Sequence, residues 1–377
     1  MTRSLSIGVC ALAFLAGCSS NNSPTCPVPP GGAIIAIIAT DYTSGMVSAA
    51  SGDTALRVYT NLQAIHSDAV ARAHGGLLYV INRLGADNVQ VLDPRICFHT
   101  DLQFSVGRGT NPHDIAFVSS GRAYVSRNSS PYLLEVDPQT GAKRDSISLA
   151  MFADPDGNPD MDRLFFRDPY LYVSLDRINY GDPPGYPPVP PSYIAVIDTR
   201  TNTVVDVDPN MAGIQAIALQ GLNPSAPMVW DEAEGVLLVP EFGIYTQGNG
   251  AIEKVDLLQW RSVGFLVRSE ALQGNLTDFA LTPGGRGYAT VAGVDNSTSL
   301  ISFDATTGER TGVLLHSAQY TIADLLYVPS TGYLLVCDRQ YDASGLRVYN
   351  AATGRAVAGF PRPIPTGLPP LELLLLE

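Results

Sequence analysis

Positive charge is scarce in this chain: 23 lysines and arginines face 36 aspartates and glutamates, a formal net charge of −13. Such a surface offers no electrostatic footprint for nucleic acid or for anionic lipid headgroups, and it leaves cationic partners and metal ions open. Helix-favouring runs are few, and charged residues of all kinds make up only 16% of the chain. There is no GxSxG, no HExxH and no phosphate-binding P-loop, so the common serine-hydrolase, zinc-protease and nucleotide-hydrolase arrangements are excluded. Five cysteines without a CxxC or CxxCH pair, and five scattered histidines, argue against thiolate–metal and haem sites.

Glycine and proline are plentiful, 35 and 28 residues, which suits a β protein rich in tight turns. The stretch NPHDIAFVSSGRAYVSRNSSPYLLEVDPQTGAKRDSISL, residues 111–149, contains four short apolar runs separated by SSG, RNSSP and PQTG. Apolar runs of this length between turn residues read as antiparallel strands, and four of them in about 40–45 residues make one propeller blade. The unit recurs. An acidic residue precedes or opens the first run at Asp68, Asp114, Asp162, Asp278 and Asp324, and Met228 occupies the same phase without an acid. Second strands follow as LLYVINR, RAYVSRN, YLYVSLD, VLLVPEF, GYATVAG and YLLVCDR. Six blades are complete in sequence. The seventh needs both ends: residues 34–60 supply three strands, and 371–376, with Glu372 in the acidic phase, are expected to add the inner strand and close the ring. Closure of this kind removes the exposed edges of an open array. The expected fold is therefore an all-β, seven-bladed β-propeller of four-stranded antiparallel blades over residues 33–377.

The repeated Tyr-Val and Val-Ile-Asp motifs, as in Tyr172-Val173 with Val196-Ile197-Asp198, resemble those of YVTN-type and surface-layer propellers of exported bacterial proteins. That resemblance implies a seven-bladed fold and leaves activity open. Residues 1–17 have the basic start and short apolar core of an export signal. Leu15-Ala16-Gly17-Cys18 resembles the lipobox of bacterial lipoproteins, which implies that Cys18 is lipidated and that the protein is membrane-anchored through its N-terminus. Ser19 after the cysteine implies the outer membrane, with the periplasmic or surface side left open. Residues 18–32, polar and then proline-rich, read as a tether. Of the remaining thiols, Cys26, Cys97 and Cys337, the expected pair is Cys26–Cys97, because Cys97 opens an outer strand within reach of the tether.

Insertions at 151–162, 176–192, 208–227, 241–250 and 292–299 should share one face of the ring, the usual place for binding. Three candidate sites follow. The acidic phase residues Asp68, Asp114, Asp162, Asp278, Asp324 and Glu372, with His66 and His113 nearby, should ring the channel mouth. They could hold a hard cation, but an acid repeated in six of seven units favours an architectural role accepting backbone N–H groups. Asp154, Asp156, Asn158, Asp160 and Asp162 alternate along one loop in the manner of a Ca²⁺-wrapping segment, although Gly157 stands at the fourth position and no glutamate closes the loop. Tyr180, Tyr186 and Tyr193, in a stiff proline-rich segment, could present rings to a partner. The function expected is binding or scaffolding, with an envelope protein, a glycan or a small molecule as partner, rather than catalysis. The alternative is a divalent-metal hydrolase resembling the gluconolactonases, whose channel holds a cation through acidic and asparagine side chains.

Overall fold

Each blade begins at the central channel and runs outward strand by strand. In a computed structural model, which describes residues 32–182 and 186–376, seven antiparallel blades of four strands form the ring, the fourth with a further short strand, Ile217–Ala218, paired to its third. The second to seventh blades have inner strands Ala69–His74, Pro112–Ser119, Met161–Arg167, Val229–Asp231, Asn275–Thr282 and Ile322–Val328. The first blade is built from both ends, as expected. Pro370–Leu376 is its inner strand and pairs antiparallel with Ile34–Thr40, followed outward by Gly45–Ser51 and Val58–Ile65.

Position in the blade explains composition. Second strands such as Leu77–Asn82 and Tyr333–Asp338 are covered on both faces by neighbouring blades and are apolar almost throughout. Outer strands such as Lys143–Ser148 meet solvent and carry charge, which also protects the sheet edge. Buried apolar side chains among the described residues gather into seven clusters, one at each seam between adjacent blades. The closing strand feeds two of them by simple alternation: Leu373 and Leu375 pack with the seventh blade, Leu374 and Leu376 with the second. The tryptophans are rim packing, with Trp260 edge-on to Tyr170 at 5.6 Å and Arg167 lying 3.8 Å over Trp230.

The two faces of the ring differ in kind. On one, the connection from third to outer strand is an aspartate or asparagine turn in every blade. Asp53, Asp93, Asp137, Asp198, Asp256, Asp304 and Asn350 each accept a hydrogen bond from a backbone N–H two or three residues on. The chain enters the ring on this turn face, where the carbonyl of Ala33 accepts from the amide of Gly52 at 2.8 Å. Cys97, also on this side, is disulfide-bonded, and Cys337 is a buried free thiol. Cys26, Cys18 and the rest of the expected signal and tether lie outside the described residues. The other face carries the longer loops.

Candidate functional site

Five of the seven inner strands carry an irregularity in their pairing with the neighbouring strand, and it falls at the acidic residue each time: Pro112/Asp114, Met161/Leu164, Leu276/Asp278, Ile322/Leu325 and the step around Glu372. A bulge bends a strand and re-aims a side chain. Here it aims carboxylates at the channel, where most accept a backbone N–H from the next blade's inner strand. Asp114 takes that of Leu164 at 2.9 Å, Asp278 that of Leu325 at 3.3 Å, Asp324 that of Leu373 at 2.8 Å, and Glu372 that of Ala71 at 2.8 Å. These bonds lace neighbouring blades together around the axis, in line with an architectural role.

Asp68 is not part of this ring. The second blade's inner strand pairs without a bulge, from Ala69 opposite Asn82 to His74 opposite Leu77. Asp68 is left before it, ion-paired to Arg83, and His66 bonds the carbonyl of Asp68 through Nδ1 at 3.1 Å. Arg72 is the second blade's channel residue. Its Nε lies 2.7 Å from Asp114, and its Nη1 lies 3.3 Å from Glu372. Further round, Asp162 meets Nδ1 of His113 at 3.3 Å and Nε of Arg163 at 3.1 Å. Burial would raise the Asp162 carboxyl, yet those two neighbours hold it well below its usual range. Asp176, buried beside it, is pushed far up by burial and by the charge of Asp162. Asp324 is pushed up likewise, by burial and by Asp278. The channel is thus a set of internally compensated carboxyl groups.

The 154–162 loop splits. Ligand oxygens of Asp154, Asp156 and Asp160 lie within 4.8 Å of one another, while Asp162 turns into the channel and Asn158 contributes its carbonyl to the amide of Asp154. Asp160 accepts the amide of Ile178 at 2.7 Å and Asp156 that of Tyr180 at 3.3 Å, which fastens this loop to the next one. Burial, then the charges of Asp156 and Asp154, push Asp160 up to about 8.

Tyr180 and Tyr186 are half-exposed with their rings 5.8 Å apart. Tyr193 is not presented. It begins the third strand of its blade, packs 6.1 Å from Phe152 and lies under Arg177. The proline-rich segment therefore offers two rings, not three. They belong to a larger array. Tyr42, Leu84, Tyr245, Val294 and Tyr341 stand exposed on the second-to-third strand loops of the first, second, fifth, sixth and seventh blades, and Tyr320 joins them from the connection into the seventh. Tyr245 hydrogen-bonds Asn296 on the adjacent loop, and Arg339 stacks 4.6 Å over Tyr42. Among the described residues, the turn face exposes only Ile96 and Leu258 of its large apolar side chains.

No protein-family model matches the chain, and no curated protein matches it by sequence. Solved structures do match. The periplasmic gluconolactonase of Pseudomonas aeruginosa superposes with a TM-score of 0.62 at 13% identity, covering 92% of this chain and 99% of that one. A Bacteroides fragilis protein named as a candidate 6-phosphogluconolactonase gives 0.61 at 14%, covering 92% and 98%. The apo form of AztD from Citrobacter koseri gives 0.51 at 14%, covering 91% and 97%. The likeness is one of fold. At such identities it carries no residue across.

One pair went unnoticed in the sequence. Glu241 and Glu253, on the second and third strands of the fifth blade, are both fully buried. Glu253 accepts the amides of Gln220 and Gly221 at 2.9 and 3.0 Å. Neither oxygen of Glu241 makes a well-formed hydrogen bond; the Gly221 amide and the Glu253 carboxyl are the polar groups that reach it, and a proton shared between the two carboxyls would join them. Burial first, then Glu253, pushes Glu241 well above its usual value. Gly221 is obligatory there, since a Cβ would fall 1.6 Å from a Glu241 oxygen. The signal lay in VLLVPE and AIEKVD, where a glutamate occupies an otherwise apolar inward position. A carboxyl held above its unfolded value costs stability progressively as pH rises past that unfolded value. Glu241→Gln supplies a permanent donor to Glu253. Its melting temperature should exceed the parent's by several degrees at pH 8, roughly 1–3 kcal/mol, and by little at pH 4. A gain that is the same at both pH values would refute the shared proton.

Proposed function

We propose that this protein is a recognition module that binds a partner in the cell envelope through the crown of loops opposite the turn face. The observation that carries this reading is the one-sided distribution of exposed rings and apolar side chains, set on short loops of a rigid ring. Preformed tyrosines give contact area at small entropic cost, and one face rather than the whole surface is equipped with them. The export and lipid-anchor pattern of residues 1–18 supplies the proposed address, the outer membrane, and a protein or glycan is the partner class that suits an aromatic surface.

Lactone hydrolysis is the second reading, supported by what the structural neighbours are named for. A channel cation of the gluconolactonase kind does not fit the residues present. Asp114 and Glu372 are engaged by Arg72, Asp162 by Arg163 and His113, and Asp278 and Asp324 by backbone amides.

The immobilised full chain should retain one defined component of its own envelope fraction, or one glycan on an array. Tyr42→Ala with Tyr245→Ala and Tyr341→Ala should weaken that binding at least about tenfold, and Leu258→Ala on the turn face should leave it unchanged. Equal retention by the crown variant would refute the reading. Lactone hydrolysis abolished by Asp114→Asn in a folded protein would establish the second one instead.

A further inference from the structure

We infer that Asp154, Asp156 and Asp160 form a calcium site that clamps the loop entering the fourth blade to the loop joining that blade's second and third strands. Three carboxylates converge within 4.8 Å. Two oxygens bound to one Ca²⁺ at about 2.3–2.6 Å can stand no more than about 5 Å apart, so the spacing matches a single ion of that size. Mg²⁺, with bonds near 2.1 Å and a strict octahedron, demands a tighter set.

Clustering of acids is common on surfaces and decides nothing alone. The deciding feature is Asp154. Its residue exposure is 7%, its Oδ1 accepts the amide of Asp156 at 2.9 Å, and its Oδ2 is buried with no donor in reach. A carboxyl oxygen removed from water without a hydrogen-bond partner is expensive, and a cation is a partner that would satisfy it. Arg177 is the neighbouring positive group, and its charge reaches both Asp154 and Asp160. However, its Nη1 donates to the carbonyl of Pro191 at 2.7 Å, and its guanidinium lies 5.1 Å from the centre of the Tyr193 ring. It forms no ion pair with either acid among the described contacts.

The clamp has a consequence for the crown. Asp156 and Asp160 hold the amides of Tyr180 and Ile178, so an ion gathering these carboxylates also fixes the segment that displays Tyr180. That consequence rests on the recognition reading; the site does not.

The test is calcium titration of the full chain by calorimetry, with Tb³⁺ luminescence excited through tyrosine as a second readout, because the Tyr180 amide bonds Asp156 and its phenol feels the charges of Asp160 and Asp156. One Ca²⁺ per chain is expected with a dissociation constant between about 10⁻⁵ and 10⁻³ M. Asp154→Asn and Asp160→Asn should each weaken it at least about tenfold. Asp295→Asn, an exposed turn aspartate on the same face, should not change it. Ca²⁺ should raise the melting temperature of the parent and not of the Asp160→Asn variant, and in EDTA that variant should melt no lower than the parent. Absence of heat and of any melting shift at millimolar Ca²⁺ would overturn the proposal. So would calcium binding that survives both substitutions, or an Asp160→Asn protein that melts lower than the parent in EDTA while still binding calcium. Partner binding by the crown is measured separately, so failure of one leaves the other standing.

Discussion

Ending the chain at Pro369 is expected to abolish folding. The strand Pro370–Leu376 supplies the inner hydrogen-bonded partner of Ile34–Thr40 and places four leucines into two different seams. Burying a leucine side chain contributes about 1.5–3 kcal/mol, so the four together rival the roughly 5–15 kcal/mol that holds a typical domain folded. The loss extends further, because Asp324 would lose the amide of Leu373 and Arg72 would lose Glu372. Soluble yield and near-ultraviolet circular dichroism of the truncated chain are the measurements. A shortened protein that stays soluble and melts within a few degrees of the parent would show that the ring does not depend on this closure.

Replacement of Arg72 by methionine should be the most damaging single substitution in the channel. Its guanidinium is the cation shared by Asp114 of the third blade and Glu372 of the first, and the Asp114 carboxylate is almost wholly buried. Removing one member of such a group strands the others as unpaired buried charges, which costs about 3–5 kcal/mol. In a chain of this size that corresponds to a fall in melting temperature of about 4–7 °C. Adding Asp114→Asn and Glu372→Gln to Arg72→Met should restore most of it, since neutral amides need no counter-charge. If Arg72→Met alone melts like the parent, the guanidinium is not what compensates these acids.

Much of the ring was legible from sequence because a blade strand advertises itself twice, by its apolar alternation and by the turn residues that end it. LLYVIN, YLYVSL and YLLVCD mark second strands by composition alone, and DPQTG, DATTG and NAATG mark the turns after the third. The closing strand was legible for the same reason: LELLLL repeats the acid-then-apolar phase of HDIAFV. Aim was harder to read than position. A bulge leaves composition unchanged while rotating a side chain to the channel, so Asp68 and Asp114 look alike in sequence, yet only the second projects inward. Arg72 was overlooked because it sits at an even step along an ordinary strand. The aspartates of 154–162 were legible as a cluster, but which of them share a volume depended on Asp162 being drawn away by His113 and Arg163. Tyr193 looked like part of the proline-rich loop and is instead the first residue of a strand.

The point at which the chain joins the ring fixes which way the molecule looks. Ala33 sits on the turn face, between the Gly52 corner of the first blade and the seventh blade, whose Ser330 hydroxyl donates to the Gly52 carbonyl. Anything that tethers the chain from its N-terminal side therefore pulls on the plain side of the disc. With Cys18 as the anchor, the intervening residues span at most about 50 Å when fully extended. Under the proposed anchoring, the disc would turn its plain side toward the bilayer and its tyrosines outward. A partner would then be met from the space beyond the membrane and not from within its plane.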